Sequence, residues 1–318
     1  MSANGGMVWN KLRSGSNNHV LWDTIRTATK TIYPDLNAQE ATEASTLTAF
    51  TTTGWTAGGG GNTNANGSTY ASWNWLAGSS HSGTTNNDGS IATTVSANTT
   101  AGFSIVKWTG TGSAGTLGHG LGAVPNTIWV KKTSEADDWF IWHTALGGLG
   151  KINFNNNSAA QNDTGYWNNT TPTNQVFSVT SNGANNASGQ TFIAYCFTNI
   201  KGYSKFGSYT GNNNANGAFV YTGFKPAFII VKPSNYADNW HIIDNKINPT
   251  NAMDKHLFVN LNAAEASSSA YDFDILSNGF KPRSNNSAFN GSYNYIYMAF
   301  ASEPLVANVG ASIPATAR

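Results

Sequence analysis

The chain contains a single cysteine, Cys196, which lies within the apolar run Thr191–Phe197. One cysteine cannot form an intrachain disulfide, and it cannot supply a cysteine-based metal site. Free cysteines are usually buried and behave as small hydrophobic residues, so we expect Cys196 in the core of the fold.

Charge is also scarce, because only 10% of the 318 residues are charged and the formal net charge is +1. A phosphate-binding surface needs clustered Lys and Arg, and the longest like-charge groups here are pairs. We therefore expect no nucleic-acid partner. No apolar stretch approaches the roughly 20 residues of a membrane-spanning helix, and the first six residues show no features of a secretory signal. We expect no membrane insertion, and we expect assembly in a cytoplasm.

The polarity of the chain comes from amides and hydroxyls, with 42 Asn beside 33 Gly and many Ser and Thr. The chain also carries 11 Trp, 12 Tyr and 16 Phe, and aromatic side chains bury a large area each. Turn-forming Asn and Gly between aromatic and β-branched segments predict an all-β protein of repeated β-sandwich (jelly-roll or lectin-like) units with little helix.

Similar segments recur along the sequence at an offset of 100 to 107 residues, as expected of an internal repeat. The matched pairs are Gly102–Gly110 with Gly202–Gly211, Ile128–Lys131 with Ile229–Lys232, Asp137–Trp139 with Asp238–Trp240, Phe154-Asn155 with Leu261-Asn262, and Thr191–Phe197 with Asn294–Phe300. An earlier copy begins with Val8–Lys11 and closes with Thr69–Trp75, but it lacks the opening segment. It is therefore either a truncated unit or one completed by another chain.

These matches predict five parts: a truncated first repeat (1–78), a connector (79–101), a second repeat (102–200), a third repeat (202–304) and a C-terminal arm (305–318). Strands are predicted from β-branched and aromatic content at Ser90–Val95, Phe219–Tyr221, Phe228–Lys232, Trp240–Asp244, Leu257–Asn260, Phe273–Leu276 and Asn294–Ala301. Ala38–Ala49, rich in Ala and Glu, is the one segment for which we predict a short helix.

Equivalent places in the three repeats hold aromatic residues beside Asp or Asn, and aromatic rings with such neighbours can stack on sugars and hydrogen-bond their hydroxyls. The candidate glycan-binding residues are Asn18, Trp22, Asp23, Asp138, Trp139, Trp142, Asn239, Trp240 and Asp244. The alternative is that these aromatic side chains face the core of each repeat.

Signals for catalysis or for a metal are weak. None of the six histidines has a metal-ligand spacing, and His119 lies in a Gly-rich turn where we expect a structural role. A glycosidase needs two carboxylates across a sugar, and the candidates are Glu135, Asp137, Asp138, Asp272 and Asp274. The repeats do not keep carboxylates at these places. We therefore predict no catalytic residues, no cofactor and no metal site.

The motif Thr116-Leu-Gly-His-Gly-Leu-Gly-Ala-Val-Pro125, followed by Ile128-Trp-Val-Lys-Lys132, resembles repeats of phage tail-fibre-like proteins from marine tailed phages. Phe219–Pro226 and the ending Ile296–Pro304 are similar to the same family. The resemblance implies a virion protein with lectin-like β-sandwich domains. It also implies other virion proteins as partners, a homo-oligomer (a trimer by analogy with fibres), and host-surface polysaccharide as a ligand. Alternatives of other classes are a capsid decoration protein and a polysaccharide depolymerase.

Overall fold

The computed structural model describes residues 1–78 and 80–301, and the regular secondary structure of this part of the chain is almost entirely antiparallel β-strand. The strands of the first half are β1 Gly6–Leu12, β2 Val20–Asp23, β3 Lys30–Thr31, β4 Ala41–Thr42, β5 Leu47–Phe50, β6 Trp55–Ala57, β7 Tyr70–Leu76, β8 Thr84–Asn86, β9 Thr93–Asn98, β10 Phe103–Thr109, β11 Gly115–Gly118, β12 Thr127–Lys132, β13 Phe140–His143, β14 Gly150–Asn153 and β15 Gln161–Asn162. Those of the second half are β16 Val176–Val179, β17 Thr191–Phe197, β18 Ser204–Thr210, β19 Val220–Tyr221, β20 Pro226–Pro233, β21 His241–Asp244, β22 Lys255–Phe258, β23 Ala266–Ser267, β24 Phe273–Leu276, β25 Gly279–Pro282 and β26 Asn294–Ala301. The helices are single turns, α1 Thr164–Trp167 and α2 Gly183–Asn186, with two 3₁₀ turns at Thr144–Leu146 and Ser269–Tyr271. The all-β prediction is confirmed.

The chain divides into two compact units. Unit 1 consists of Met1–Asn156, Ala160–Thr198 and Val259–Ala264, and unit 2 consists of Asn157–Ala159, Asn199–Phe258 and the residues from Glu265 onward. Each unit therefore contains a short segment that belongs, by sequence, to the neighbouring repeat.

One arrangement of three strands occurs three times: β7-β1-β2, β17-β12-β13 and β26-β20-β21. In the second and third repeats a fourth strand, β14 or β22, follows. The register also repeats at the central strand. Trp9 is paired with Leu21 and Trp73, Trp129 with Ile141 and Tyr195, and Ile230 with Ile242 and Met298. The central strands are short apolar runs buried on both faces, as expected for strands in the middle of a layered fold. Tyr295–Phe300 is likewise buried on both faces.

In unit 1 the second repeat builds an eight-stranded sheet in the order β15-β14-β13-β12-β17-β10-β9-β8, and a small sheet of β11 and β16 packs with it. Their shared core contains Val106, Ile128, Phe177 and Cys196, all essentially inaccessible to solvent. The predicted burial of Cys196 is confirmed.

The first repeat is simpler. Its sheet has three strands in the order β2-β1-β7, and the apolar face of this sheet packs with residues of the β5–β6 hairpin. In the later repeats the opening strands β10 and β18 pair with the outer edge of the closing strands β17 and β26. No strand of the described residues occupies that edge of β7. The side chains of Ser72, Asn74 and Leu76 on β7 are exposed.

Unit 2 is a sandwich of a six-stranded sheet, β18-β26-β20-β21-β22-β23, and a three-stranded sheet, β19-β25-β24. Residues of both sheets meet in one core, including Ile229, Val231, Phe273, Phe280 and Tyr297.

The structure corrects several local predictions. Ala38–Ala49 is not helical, because β4 and β5 form there and pair with β3 and β6; strand pairing overrides the weak helix propensity of Ala and Glu. The strand predicted at Ser90–Val95 is shifted to Thr93–Asn98, and the segment expected to be a connector provides both β8 and β9 to the large sheet. The C-terminal arm 305–318 lies outside the described residues.

A second correction concerns the alignment of the repeats. In the second repeat Phe140 is paired with Asn153, and in the third the equivalent His241 is paired with Phe258. Counting two residues onward, Asn155 corresponds to Asn260 and not to Asn262, with which the sequence comparison matched it. Two-residue shifts preserve the side of the sheet that a residue faces, which is why the mismatch was not visible in the hydrophobic pattern.

Candidate functional site

The four tryptophans proposed for stacking on sugars all lie in the interior. Trp22, Trp139 and Trp240 have no exposed surface, and Trp142 is 2% exposed. Three of their indole N–H groups donate to protein oxygens: Trp22 to Thr31 Oγ1 at 2.8 Å, Trp139 to the Tyr33 carbonyl at 2.8 Å and Trp142 to the Gly147 carbonyl at 2.9 Å. A stacking ring must leave one face open, so the burial supports the alternative that these rings are core residues.

Asp23 is the centre of a buried ionic network in unit 1. Its carboxylate accepts from Arg26 Nε at 2.5 Å and from the Tyr195 hydroxyl at 2.6 Å. The Arg26 guanidinium also donates to the carbonyls of Leu21 at 3.2 Å and Lys30 at 2.9 Å. Since Asp23 and Arg26 belong to the first repeat and Tyr195 to the second, this network holds the two repeats together.

Asp138 and Asp244 organise loops. The Asp138 carboxylate accepts from the side-chain amides of Asn153 at 2.6 Å and Asn155 at 2.8 Å. The buried Asp244 accepts from the backbone N–H of Lys246 at 2.7 Å. Carboxylates that satisfy backbone and amide donors in this way stabilise turns.

Asn18 and Asn239 are half-buried, and each lies directly after a residue whose side chain caps its backbone N–H. Asn17 Oδ1 accepts from Asn18 at 3.0 Å, and Asp238 Oδ1 accepts from Asn239 at 2.8 Å. The nine predicted residues thus occupy equivalent strand ends and loops, but the structure does not gather them into one exposed surface.

Sequence reasoning missed a set of buried lysines at the ends of the central strands. Lys11, Lys131 and Lys232 have no exposed surface, and burial lowers the pKa of each ammonium group to about 8. A buried ammonium needs hydrogen-bond acceptors. The sequence does carry a signal for these lysines, because the central strand of every repeat has three uncharged residues followed by a Lys.

Each of these lysines donates to a carbonyl of a different repeat. Lys131 donates to Asn37 of the first repeat at 3.0 Å, and Lys11 donates to Asn262 at 3.2 Å, both within unit 1. Within unit 2, Lys232 donates to the carbonyl of Asn157 at 3.3 Å. Each ammonium also donates to carbonyls of its own repeat: Leu12 and Asn17 for Lys11, Asp137 for Lys131, and Pro233 and Tyr236 for Lys232. The same residue type therefore ties each repeat to a loop of another one.

A family model described as a domain of unknown function, DUF7483, matches residues 1–304 as one continuous region. The chain belongs to the DUF7483 family. A comparison with curated proteins gave no match, and neither did a comparison with solved structures. Because one model spans all three repeats, the DUF7483 domain corresponds to the whole array and not to a single repeat.

The Gly-rich motif of this DUF7483 domain forms a tight turn in unit 1. Gly120 and Gly122 have φ values of 69° and 67°, a region that favours glycine. The buried His119 ring lies within hydrogen-bond distance of the Thr173 carbonyl through Nε2 (3.2 Å) and accepts from the Leu121 N–H at Nδ1. Burial lowers the pKa of His119, so a neutral imidazole fixes the turn, which is the structural role expected for it.

Three of the five carboxylates considered for sugar hydrolysis are engaged in ion pairs. Lys132 lies 2.8 Å from Asp137 and 3.5 Å from Glu135, and Arg283 lies 3.4 Å from Asp274. Burial raises the pKa of Asp272, with a smaller contribution from neighbouring carboxylates. Among residues 1–78 and 80–301, no cluster of three or more His, Cys, Asp or Glu side chains could hold a metal ion. In the same residues, no helix has the length and apolar character needed to span a membrane.

Unit 2 of the DUF7483 domain also contains two buried histidines that face the same side of neighbouring strands. The rings of His241 and His256 are 5.2 Å apart and pack on Tyr271, and the ring of His241 also packs on Phe289. Burial lowers the pKa of His256 to about 4, opposed by the carbonyl of Asp254. Burial, together with the nearby His256 and Lys232, holds the pKa of His241 well below its usual value.

Proposed function

We propose that this chain is a structural protein of a tailed-phage particle, located on a tail fibre, the baseplate or another exposed surface, and that it attaches the particle to host-surface polysaccharide. The observation that carries the proposal is the repeated architecture. Three equivalent β-arrangements with aromatic interiors place short Asn-, Ser-, Thr- and Gly-rich loops at the surface. The resemblance of the His119–Pro125 region to tail-fibre-like repeats supports the same assignment.

The way in which the repeats are joined suits a protein that must stay folded outside the cell. The edge-to-face contact of Trp9 and Trp129 at 6.0 Å and the Asp23 network join the first two repeats. The buried lysines add hydrogen bonds between repeats. Such contacts provide stability without disulfides, which a particle protein assembled in a reducing cytoplasm cannot rely on.

The edge of β7 at which no described strand lies supports assembly with further chains. An exposed strand edge presents free N–H and C=O groups and readily pairs with a strand of another molecule. In the second and third repeats that position is filled by β10 and β18. We propose that a homo-oligomer, a trimer by analogy with fibres, or a contact with another virion protein fills it in the first repeat.

Two alternatives use the same fold. A capsid decoration protein would need the same stable core and oligomer contacts but no glycan site. A polysaccharide depolymerase would need two carboxylates about 5–10 Å apart in an open cleft. Since Asp137, Glu135 and Asp274 are held by cations, the depolymerase has less support than the attachment protein.

Particles purified on a density gradient provide the test. Mass spectrometry should detect this chain at a constant ratio to the major capsid protein, and a labelled antibody should bind intact particles. Its absence from purified particles, with the chain found only in the lysate of infected cells, would contradict the proposal.

A further inference from the structure

One loop of each repeat is built on the same hydrogen bonds. This loop, called the tip loop, follows the central strand and comprises residues 13–19, 133–139 and 234–240. A backbone N–H at or just before the closing strand donates to a side-chain oxygen of the tip loop in every repeat: Thr69 to Ser14 Oγ at 3.0 Å, Thr191 to Ser134 Oγ at 3.0 Å, and Asn294 to Asn235 Oδ1 at 2.8 Å. The frame of the loop is therefore the same three times.

A backbone hydrogen bond at the start of the tip loop is also repeated in all three repeats. The N–H groups of Arg13, Thr133 and Ser234 donate to the carbonyls of Thr69, Thr191 and Asn294, at 2.8, 2.9 and 2.7 Å respectively. A loop that these two hydrogen bonds hold in place can carry different side chains at its tip while its backbone keeps the same conformation.

The tips do differ. At equivalent positions the first repeat has Gly15 and Ser68 and the second has Glu135 and Gln190, whereas the third has Tyr236 and Tyr293. The two tyrosine rings are stacked, with centroids 4.2 Å apart and planes 13° apart. Tyr236 is 40% exposed and Tyr293 is half-buried. The third repeat thus has, at its tip loop, a pre-ordered aromatic surface that the other two repeats lack.

The surroundings of this tyrosine pair favour a polar, uncharged ligand with one apolar face. Tyr293 stacks on one face of the Tyr236 ring, and 40% of the surface of Tyr236 remains exposed. Asn235 beside it is exposed, and its Oδ1 is occupied by the N–H of Asn294 while its amide N–H₂ group remains available as a donor. Lys232 fixes the loop from inside through the carbonyl of Tyr236 at 3.3 Å. An ordered loop loses little conformational freedom on binding.

We propose that Tyr236 of the third tip loop and Tyr293, which stacks on it from just before the closing strand, form a binding site for an uncharged sugar ring of a polysaccharide. The C–H face of the sugar stacks on Tyr236, and Asn235 donates to a hydroxyl. This inference rests on the attachment role proposed above and replaces the buried tryptophans with an exposed aromatic site. Trp240, the earlier candidate in this repeat, lies four residues after Tyr236 and is inaccessible.

An array of neutral and acidic oligosaccharides, probed with the full chain, identifies the preferred sugar, and NMR titration then measures its affinity. Tyr236→Ala should weaken binding about tenfold, the scale of a lost aromatic stacking contact. Tyr236→Phe should bind nearly as well as the wild type, because the ring is kept. Tyr221→Ala is the matched control, since Tyr221 is 59% exposed in the same unit but lies outside the tip loop.

Unchanged affinity in Tyr236→Ala, an equal loss in Tyr221→Ala, or no binding to any neutral sugar would overturn the inference. Circular dichroism and thermal unfolding show whether each variant is folded. Failure here is distinguishable from failure of the particle assignment: a chain that is present in purified particles but does not bind sugars through Tyr236 contradicts only the tip-loop site.

Discussion

Replacing Arg26 with Met tests how the first repeat is held. The variant keeps a long apolar stem in a buried site but removes the cation from Asp23, which has no exposed surface. The carboxylate would retain the Tyr195 hydroxyl, whereas the carbonyls of Leu21 and Lys30 would each lose a donor. Leaving one charge of a buried pair without its partner costs about 3–5 kcal/mol of unfolding free energy. We expect a loss of that size for unit 1.

Urea unfolding followed by tryptophan fluorescence measures this loss, because every tryptophan except Trp240 lies in unit 1. Lys30→Met is the control: it removes a nearby cation that is 39% exposed and 3.8 Å from Glu40, and exposed pairs contribute about 1 kcal/mol or less. A loss no larger than that of Lys30→Met would refute the reasoning.

Four further predictions concern other parts of the fold. His241 and His256 have lowered pKa values in the folded state, so unit 2 should lose stability as the pH falls from about 6.5, the unfolded value, towards 4; a His241→Phe/His256→Phe variant, followed by circular dichroism, should lose less. Lys131→Ala removes the ammonium donor of the Asp137 carbonyl and leaves the Asn37 carbonyl with the backbone N–H of Asp137, and urea unfolding should show a loss of about 1–3 kcal/mol. Burial raises the pKa of the Cys196 thiol, so a thiol reagent should react only after denaturation; rapid reaction of the native chain would contradict its place in the core. Ser72→Pro removes an N–H from the β7 strand, and light scattering should show weaker self-association, whereas an unchanged oligomer would exclude this edge as the interface.

Much of the fold could be predicted because most strands differ in composition from the segments that connect them. Phe273–Leu276 and Asn294–Ala301 were predicted with the same bounds that the structure gives them. A run of aromatic and β-branched residues between turn-forming Asn and Gly favours a strand and marks its two ends. The helix predicted at Ala38–Ala49 was wrong because its local propensity is weak and the pairing of β4 with β3 and of β5 with β6 decides its conformation.

The candidate site was harder to predict, because an aromatic residue next to Asp looks the same in a core as on a surface. Trp139 and Tyr236 differ in what covers them, and that depends on contacts with other parts of the chain. The hydrogen bonds between a lysine of one repeat and a loop of another, such as that of Lys131 with the Asn37 carbonyl, likewise depend on three-dimensional packing. Only the repeated Lys at the end of each central strand hinted at it.

Cryo-electron microscopy of the assembled particle tests the central claim most directly. The account predicts density for this chain at the tail tip, in projecting fibres or at another exposed surface, with the third tip loop facing outward. Density on a repeating capsid lattice with the third tip loop buried against the shell would contradict the attachment role and would make the chain a decoration protein.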